Sequence, residues 1–174
     1  MADPILTPIT YADFIAGITA LSATIRADTA WQPHFLVGIG RGGLVPCTYL
    51  SHATTLSMLS IDCSSDVAAF GDQLIFELAA RTRAGEALLF VDDINDTGRT
   101  LERLQAMLRE AGAITDAFRF AVLIDNVGSR ARVDYRARTI DRAVTKDWFV
   151  FPWEAVAPTS AIVHDALLVP ERTA

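Results

Sequence analysis

The chain has 174 residues, 51% of them hydrophobic, with 15 basic against 21 acidic side chains and a net charge of −6. That length suits one domain with a sizeable core, and the weakly acidic balance without any Lys/Arg block excludes nucleic acid as the main partner, so any anion must be held locally. No stretch is long and charge-free enough to cross a bilayer, and the amino-terminal MADPILTPIT lacks the basic start and apolar run of a secretory signal. A cytoplasmic location with no membrane partner is therefore expected. Cys47 and Cys63 fall in no CxxC or Cys/His spacing and read as buried free thiols.

In chain order, Tyr11 to Arg26 reads as an amphipathic helix with Thr10 as N-cap and Phe14, Ile15, Ile18, Leu21 and Ile25 on one side. Phe35 to Ile39 reads as the first core strand, followed by a glycine-rich turn and a helix from about Pro46. Further strands are expected at Leu56 to Ile61, Ala87 to Val91, Phe118 to Ile124 and Thr139 to Ile140 or slightly beyond, with helices at Asp72 to Arg83 and Leu101 to Ala111, the latter ended by Gly112. The alternation predicts an α/β fold with a mainly parallel sheet flanked by helices. The segment after Lys146 is expected to form a small lobe against the sheet.

The string VDDINDTGRT, Val91 to Thr100, follows the apolar run Ala87 to Val91, which suits a strand buried on both faces. Ligands of parallel sheets collect at the carboxyl ends of strands. Asp92 and Asp93 at such an end suit two vicinal hydroxyls or a magnesium ion, which prefers oxygen ligands. Asp96-Thr97-Gly98-Arg99-Thr100 then opens a helix, offering N–H groups, hydroxyls and a positive dipole end to a phosphate. Taken alone, an acid pair there could equally be a solvated edge or a helix cap. A second string, Gly38 to Pro46, also follows a buried strand; its glycines let the backbone approach a ligand, and Arg41 can grip phosphate through two donors. The plainer reading is a tight turn with Arg41 in solvent. A third, Asp147-Trp148-Phe149-Val150-Phe151-Pro152-Trp153-Glu154, is rich in aromatics, which by composition favours core over a ligand platform.

Together the three strings resemble the type I phosphoribosyltransferases, and among them the bacterial xanthine-guanine (purine) enzymes, over about Trp31 to Glu154. The resemblance implies the fold of that family as a single domain over 1–174, with a core over about 31–146 and a C-terminal hood over about 147–174 joined by part of the N-terminus. It implies transfer of ribose 5-phosphate from phosphoribosyl pyrophosphate (PRPP) to a nucleobase, with Mg2+ as cofactor, and a homo-oligomer, dimer or tetramer. By the same resemblance Asp92, Asp93, Asp96, Thr97, Gly98, Arg99 and Thr100 would bind the ribose phosphate, with Asp93 contacting the metal and Asp96 assisting deprotonation of the base. Arg41, Gly42 and Gly43 would touch pyrophosphate, where a cis peptide between Gly40 and Arg41 is an option. Trp148 would stack on the base, main-chain groups near Phe149 would read its edge, and Trp153 would pack structurally.

Three positions depart from the family pattern. Asp125 stands where the purine enzymes carry a lysine that donates to the 6-oxo group, and an ionised carboxylate cannot donate. It would either accept from an amino group or ring N–H of the base, with Arg130 as an alternative donor, or simply cap its loop. The loop between Asp62 and Arg83 has Ser64-Ser65-Asp66 but no tyrosine, and Arg81 and Arg83 are its cations. Arg99 replaces the usual glycine or lysine, and either adds a guanidinium at the phosphate or lies on the surface. Two other classes compete: a response-regulator receiver, whose acid pair would follow the first strand, and a non-catalytic PRPP- or nucleotide-binding regulatory protein on the same fold.

Overall fold

The computed structural model of the chain describes residues 4–62 and 68–169, with the side chains of 68–72 outside the described set. The expectations for Cys63 and for Ser64-Ser65-Asp66 lie outside these residues. The elements run β1 (Leu6–Pro8), α1 (Tyr11–Ala27), β2 (Phe35–Ile39), α2 (Gly40–Thr54), β3 (Ser57–Ile61), α3 (Ala68–Arg83), β4 (Leu88–Asn95), α4 (Arg99–Glu110), β5 (Phe118–Asn126), β6 (Tyr135–Ile140), β7 (Trp148–Val150) and α5 (Thr159–Leu167). Five strands form one parallel sheet in the order β3-β2-β4-β5-β6.

Successive side chains of a strand point to opposite faces, so a strand covered on both faces is apolar throughout. Leu36, Leu89, Val91, Ala121 and Leu123 pack with Phe14, Ile18, Leu21 and Ile25 of α1 and with Cys47 and Leu50 of α2. Their neighbours Val37, Ile39, Leu88, Phe90, Phe120 and Val122 pack with Ile75 and Leu78 of α3 and with Leu101, Leu104 and Leu108 of α4. The result is a helix-sheet-helix sandwich. Burial pushes the free thiol of Cys47 up to about 12, so it is an inert core residue. Among the described residues, no helix is long and apolar enough to cross a membrane.

The helix ends follow local chemistry. Thr10 Oγ1 accepts from the Asp13 N–H (3.1 Å) at the start of α1. At the end of α4, Gly112 takes φ 80° while its N–H bonds Arg109 and the Ala113 N–H bonds Leu108, a Schellman closure that glycine makes cheap.

Four boundaries differ from expectation by four residues or more. Helix α2 starts at Gly40, not near Pro46, because the glycine-rich turn is itself the first helical turn. Helix α3 starts at Ala68 rather than Asp72. Strand β4 runs on through Asp92 and Asp93 to Asn95, since β5 continues to pair with it through Asn95↔Asp125. Strand β6 starts at Tyr135, four residues before Thr139; as an edge strand it exposes Arg136 and Thr139 and carries little apolar signal.

After β6 the chain forms a second, two-stranded parallel sheet in which β1 pairs with β7, Leu6↔Trp148 through Pro8↔Val150. Thr7 Oγ1 donates to Asp147 Oδ2 (2.6 Å), and Trp153 stacks on Phe151 (4.7 Å) and meets Phe14 edge-on (5.4 Å). This hood carries Trp148 to the sheet edge. The arginines of the 62–83 segment are engaged elsewhere: Arg81 pairs with Glu86 (2.8 Å), and Arg83 donates to the carbonyls of Ala111 and Gly112.

At the amino ends of β5 and β6, Asp28 Oδ2 accepts from Arg119 (2.6 Å) and from the Tyr135 hydroxyl (2.8 Å), while Arg119 lies over the Trp31 ring (4.7 Å). The Tyr135 and Arg119 hydrogen bonds hold the Asp28 carboxyl down at about 2. A carboxyl depressed below its unfolded value of 3.8 adds stability above that pH and loses it as pH falls toward 2. Asp28→Asn is therefore expected to lower the denaturation midpoint at pH 7. The gap to wild type should narrow as pH drops below about 4, as followed by urea titration.

Candidate functional site

Parallel order β3-β2-β4 means that the chain leaves β2 on one side and returns past it to β4. A crevice opens where such a sheet reverses direction, at the carboxyl ends of the two adjacent strands. In register Gly38 lies opposite Val91, so the glycine turn after β2 and the acid pair of β4 meet. The contact is close enough to require glycine. A Cβ on Gly43 would sit 2.1 Å from the Val91 carbonyl oxygen, and one on Gly42 would sit 2.5 Å from Asp93 Oδ2. Among the described residues no peptide is cis, so the Gly40–Arg41 bond is trans; the turn is made instead by Gly40 at φ 55°. Arg41 is exposed on the first turn of α2.

From β4 the chain passes through Asp96 and Thr97 to Gly98, at φ 87°, and enters α4. Here too glycine is required twice over, because a Cβ at 98 would meet the Ala131 nitrogen at 2.5 Å. Asp92 to Leu101, Trp148 and Val169 line a cleft of about 230 Å³ at the amino end of α4. A second cleft of about 260 Å³ lies against α1, lined mainly by apolar groups such as Phe14, Leu123 and Phe151 with Asp13 and Arg138 beside them. It brings no acids together, so the chemistry belongs to the first cleft.

The acid pair is electrostatically costly. Burial, then the charge of Asp93, raises Asp92 well above the usual carboxylate range. Burial, then the charge of Glu154 in the hood, raises Asp93 to about 7. Two adjacent carboxyls held toward protonation in this way suit a hard divalent cation such as Mg2+, whose charge would displace the protons. Among the described residues no three His, Cys, Asp or Glu side chains converge as a metal cage, so an ion here would complete its shell with water and ligand oxygens.

Asp96 is tied to a partner that the sequence did not single out. Arg142 donates from Nε to Asp96 Oδ1 (2.8 Å) and from Nη2 to Oδ2 (3.3 Å), with side-chain exposures of 6% and 15%. Its Nη1 donates to the carbonyls of Thr145 (3.1 Å) and Asp147 (2.7 Å), and its guanidinium lies 5.0 Å from the Phe149 ring centre. Asn126 donates to the Asp96 carbonyl (2.8 Å) and accepts from the Arg142 N–H (3.1 Å). Burial draws Arg142 down to about 10, which leaves it charged at neutral pH. A lone arginine in the turn after an edge strand has no periodicity or motif that could flag it.

The structure gathers Asp92, Asp93, Asp96, Thr97, Gly98, Arg99, Thr100 and Trp148 around one cleft. Gly42 and Gly43 touch its acid strand. The buried Phe149 ring lies near two guanidiniums, those of Arg138 (5.1 Å) and Arg142, so its side chain is a packing element. Asp125 does not reach the cleft. It is 6% exposed, accepting from Asn95 Nδ2 (2.8 Å) and Arg136 (3.0 Å), while Asn95 also bonds the Ala131 carbonyl and Ser129. Of its two readings, the geometry follows the one in which Asp125 holds its loop, because a neighbouring strand supplies the cation that a buried carboxylate needs. Arg99 donates to Thr97 Oγ1 (3.3 Å) in the first turn of α4.

Residues 10–157 match the family model described as the phosphoribosyl transferase domain. The chain belongs to the phosphoribosyltransferase family. As a phosphoribosyltransferase it is 29% identical over 151 residues to the xanthine-guanine phosphoribosyltransferase of Nitratidesulfovibrio vulgaris (strain Hildenborough), covering 85% of this chain and 84% of that one. The fold is shared with the purine phosphoribosyltransferase of Pyrococcus horikoshii OT3, at TM-score 0.63 and 23% identity over 88% of this chain and 97% of the other. It is shared also with a hypothetical protein of Neisseria gonorrhoeae solved with bound ppGpp, at TM-score 0.67 and 20% identity over all of both chains.

In the ligand-free phosphoribosyltransferase the raised acids bind protons that the unfolded chain has already lost. Stability should therefore fall as pH rises from about 4 to about 7. Denaturation midpoints across that range should decline for wild type and decline less steeply in Asp93→Asn.

Proposed function

We propose that the chain is a purine phosphoribosyltransferase, moving ribose 5-phosphate from PRPP to a nucleobase with release of pyrophosphate. The observation that carries this reading is the crevice between β2 and β4, where an acid pair, a phosphate-sized turn at a helix start and a glycine turn meet. In this reading Asp92 and Asp93 accept from the ribose hydroxyls. The N–H groups of Thr97 to Thr100, the two threonine hydroxyls and Arg99 hold the 5′-phosphate, aided by the dipole of α4. Arg41, with the backbone at Gly42 and Gly43, holds pyrophosphate. Trp148 covers the base, and main-chain groups at Phe149 meet its edge.

Positive charge grows on the ribose ring as the bond to pyrophosphate breaks, and the acid pair below it is placed to offset that charge. The base nitrogen attacks from the opposite face, with Asp96 accepting its proton. Asp93 would hold a magnesium ion, which would supply positive charge to offset the pyrophosphate leaving group. The remaining work is positioning. A cytoplasmic location and a homo-oligomeric state belong to the same reading.

Asp125 lies in a closed network where the purine enzymes would present a lysine, and this favours keeping a second reading, a nucleotide-binding regulatory protein on the same fold. Pyrophosphate release, measured with PRPP, magnesium and a panel of purines and pyrimidines, separates the two. Turnover with at least one purine is expected. Tight binding of PRPP, or of the ppGpp held by the Neisseria protein, with no release for any base would select the regulatory reading.

Within the enzyme reading, Asp92→Asn with Asp93→Asn should abolish PRPP binding in calorimetry. Asp96→Asn should leave binding in place and lower kcat by roughly 10²- to 10⁴-fold.

A further inference from the structure

We infer that Arg142 is a positioning residue that holds Asp96 toward the acceptor base and locks the base-covering hood to the ribose-phosphate turn. The inference rests on the function proposed above and deepens it.

Three observations carry it. The first is the fork: a planar guanidinium donating from two nitrogens to two oxygens fixes both the position and the plane of a carboxylate, which an ammonium cannot do. The second is burial. Arg142 is 6% exposed, and a buried cation stays only where every side of it is answered; the carbonyls of Thr145 and Asp147 and the Phe149 ring complete its surroundings. The third is connectivity. Asp147 and Phe149 flank Trp148, so one side chain grips the acid at the foot of α4 and, on either side of the cleft's aromatic wall, the Asp147 carbonyl and the Phe149 ring. Asn126 doubles the tie by bonding the main chain of both Asp96 and Arg142.

The consequence is mechanical. Asp96 sits on a turn whose next residues hold phosphate, and Trp148 sits on a separate small sheet. Without a cross-link the two halves of the acceptor site would be set by independent pieces of chain. Arg142 makes the distance between them a property of a single residue. Arg142 does not line the cleft, so its effect on the reaction runs through Asp96 and Trp148 rather than through contact with ligand.

The test uses the full chain. Arg142→Gln is expected to lower kcat with the acceptor purine on the order of a hundredfold, the size of effect that a displaced reacting group produces, while the Kd for PRPP changes less than about twofold. Arg142→Lys should recover part of the loss, since it restores the charge but not the fork. Combined with Asp96→Asn, Arg142→Gln should add little to the loss already present. Multiplying losses, or PRPP affinity falling in step with kcat, would overturn the inference. If wild type releases no pyrophosphate with any base, the proposed function fails on its own. Amide hydrogen exchange then decides on Arg142: Arg142→Gln should speed exchange in both 96–100 and 147–150, and acceleration confined to 140–145 would sink the cross-link.

Discussion

The closeness of α2 to β4 sets everything else in this molecule. Parallel pairing brings the carboxyl end of β2 beside that of β4, but only an absent side chain lets the first turn of α2 lie on the Val91 carbonyl and against Asp93. Glycine is a poor helix former, and here it is placed at the start of a helix that packs on both β2 and β4. The same approach forces the carboxylates of Asp92 and Asp93 into a shielded place, and the hood adds Glu154 to that negative field. In the ligand-free protein the pair is therefore held toward its protonated state. Such an arrangement is stable only because the apolar layers on both faces of the sheet hold the strands in register regardless of what lies at their ends.

Cations and anions are distributed in a way that fits this tension. On the side of the cleft facing the hood Asp96 is balanced by Arg142, and outside the cleft Asp125 is balanced by Arg136. On the side facing the glycine turn, no ion pair to Asp92 or Asp93 is made among the described residues, and Arg41 is exposed on the first turn of α2. A ligand that brings its own divalent cation and a large anionic group would complete the unbalanced side, while a neutral planar group would meet the balanced one. The electrostatic division of the cleft thus mirrors the division of the proposed substrates into a polyanion and a heterocycle.

Much of this was legible in the amino acids themselves. An unbroken apolar run ending in two acids and a Thr-Gly turn reads as a doubly covered strand leading into a helix, and β4 with α4 is that. Thr10 and Gly112 announced helix ends because caps are local chemistry. What stayed hidden depends on partners distant in sequence. Strand β6 looks polar because it is an edge. The glycine turn is helical because tertiary contact overrides propensity. Arg142 and the loop-holding place of Asp125 are set by which strand lies next to which, and no window of neighbouring residues contains that. The pairing of β1 with β7, joined by a hydrogen bond that spans 140 positions, was foreshadowed only by the family resemblance, which gives part of the N-terminus to the hood.

That last pairing has a consequence for how the molecule is made. The five-stranded sheet is built from β-α-β units whose contacts close over modest stretches of chain, whereas the hood closes between the two extremes of the described sequence. Loop-closure entropy and the order of synthesis both delay contacts of that span. The acid pair and the turn before α4 lie within residues 92–100, while the aromatic wall waits for residue 148 to meet residue 6. On these grounds the proposed phosphate-binding residues would come together earlier in synthesis than the proposed acceptor wall.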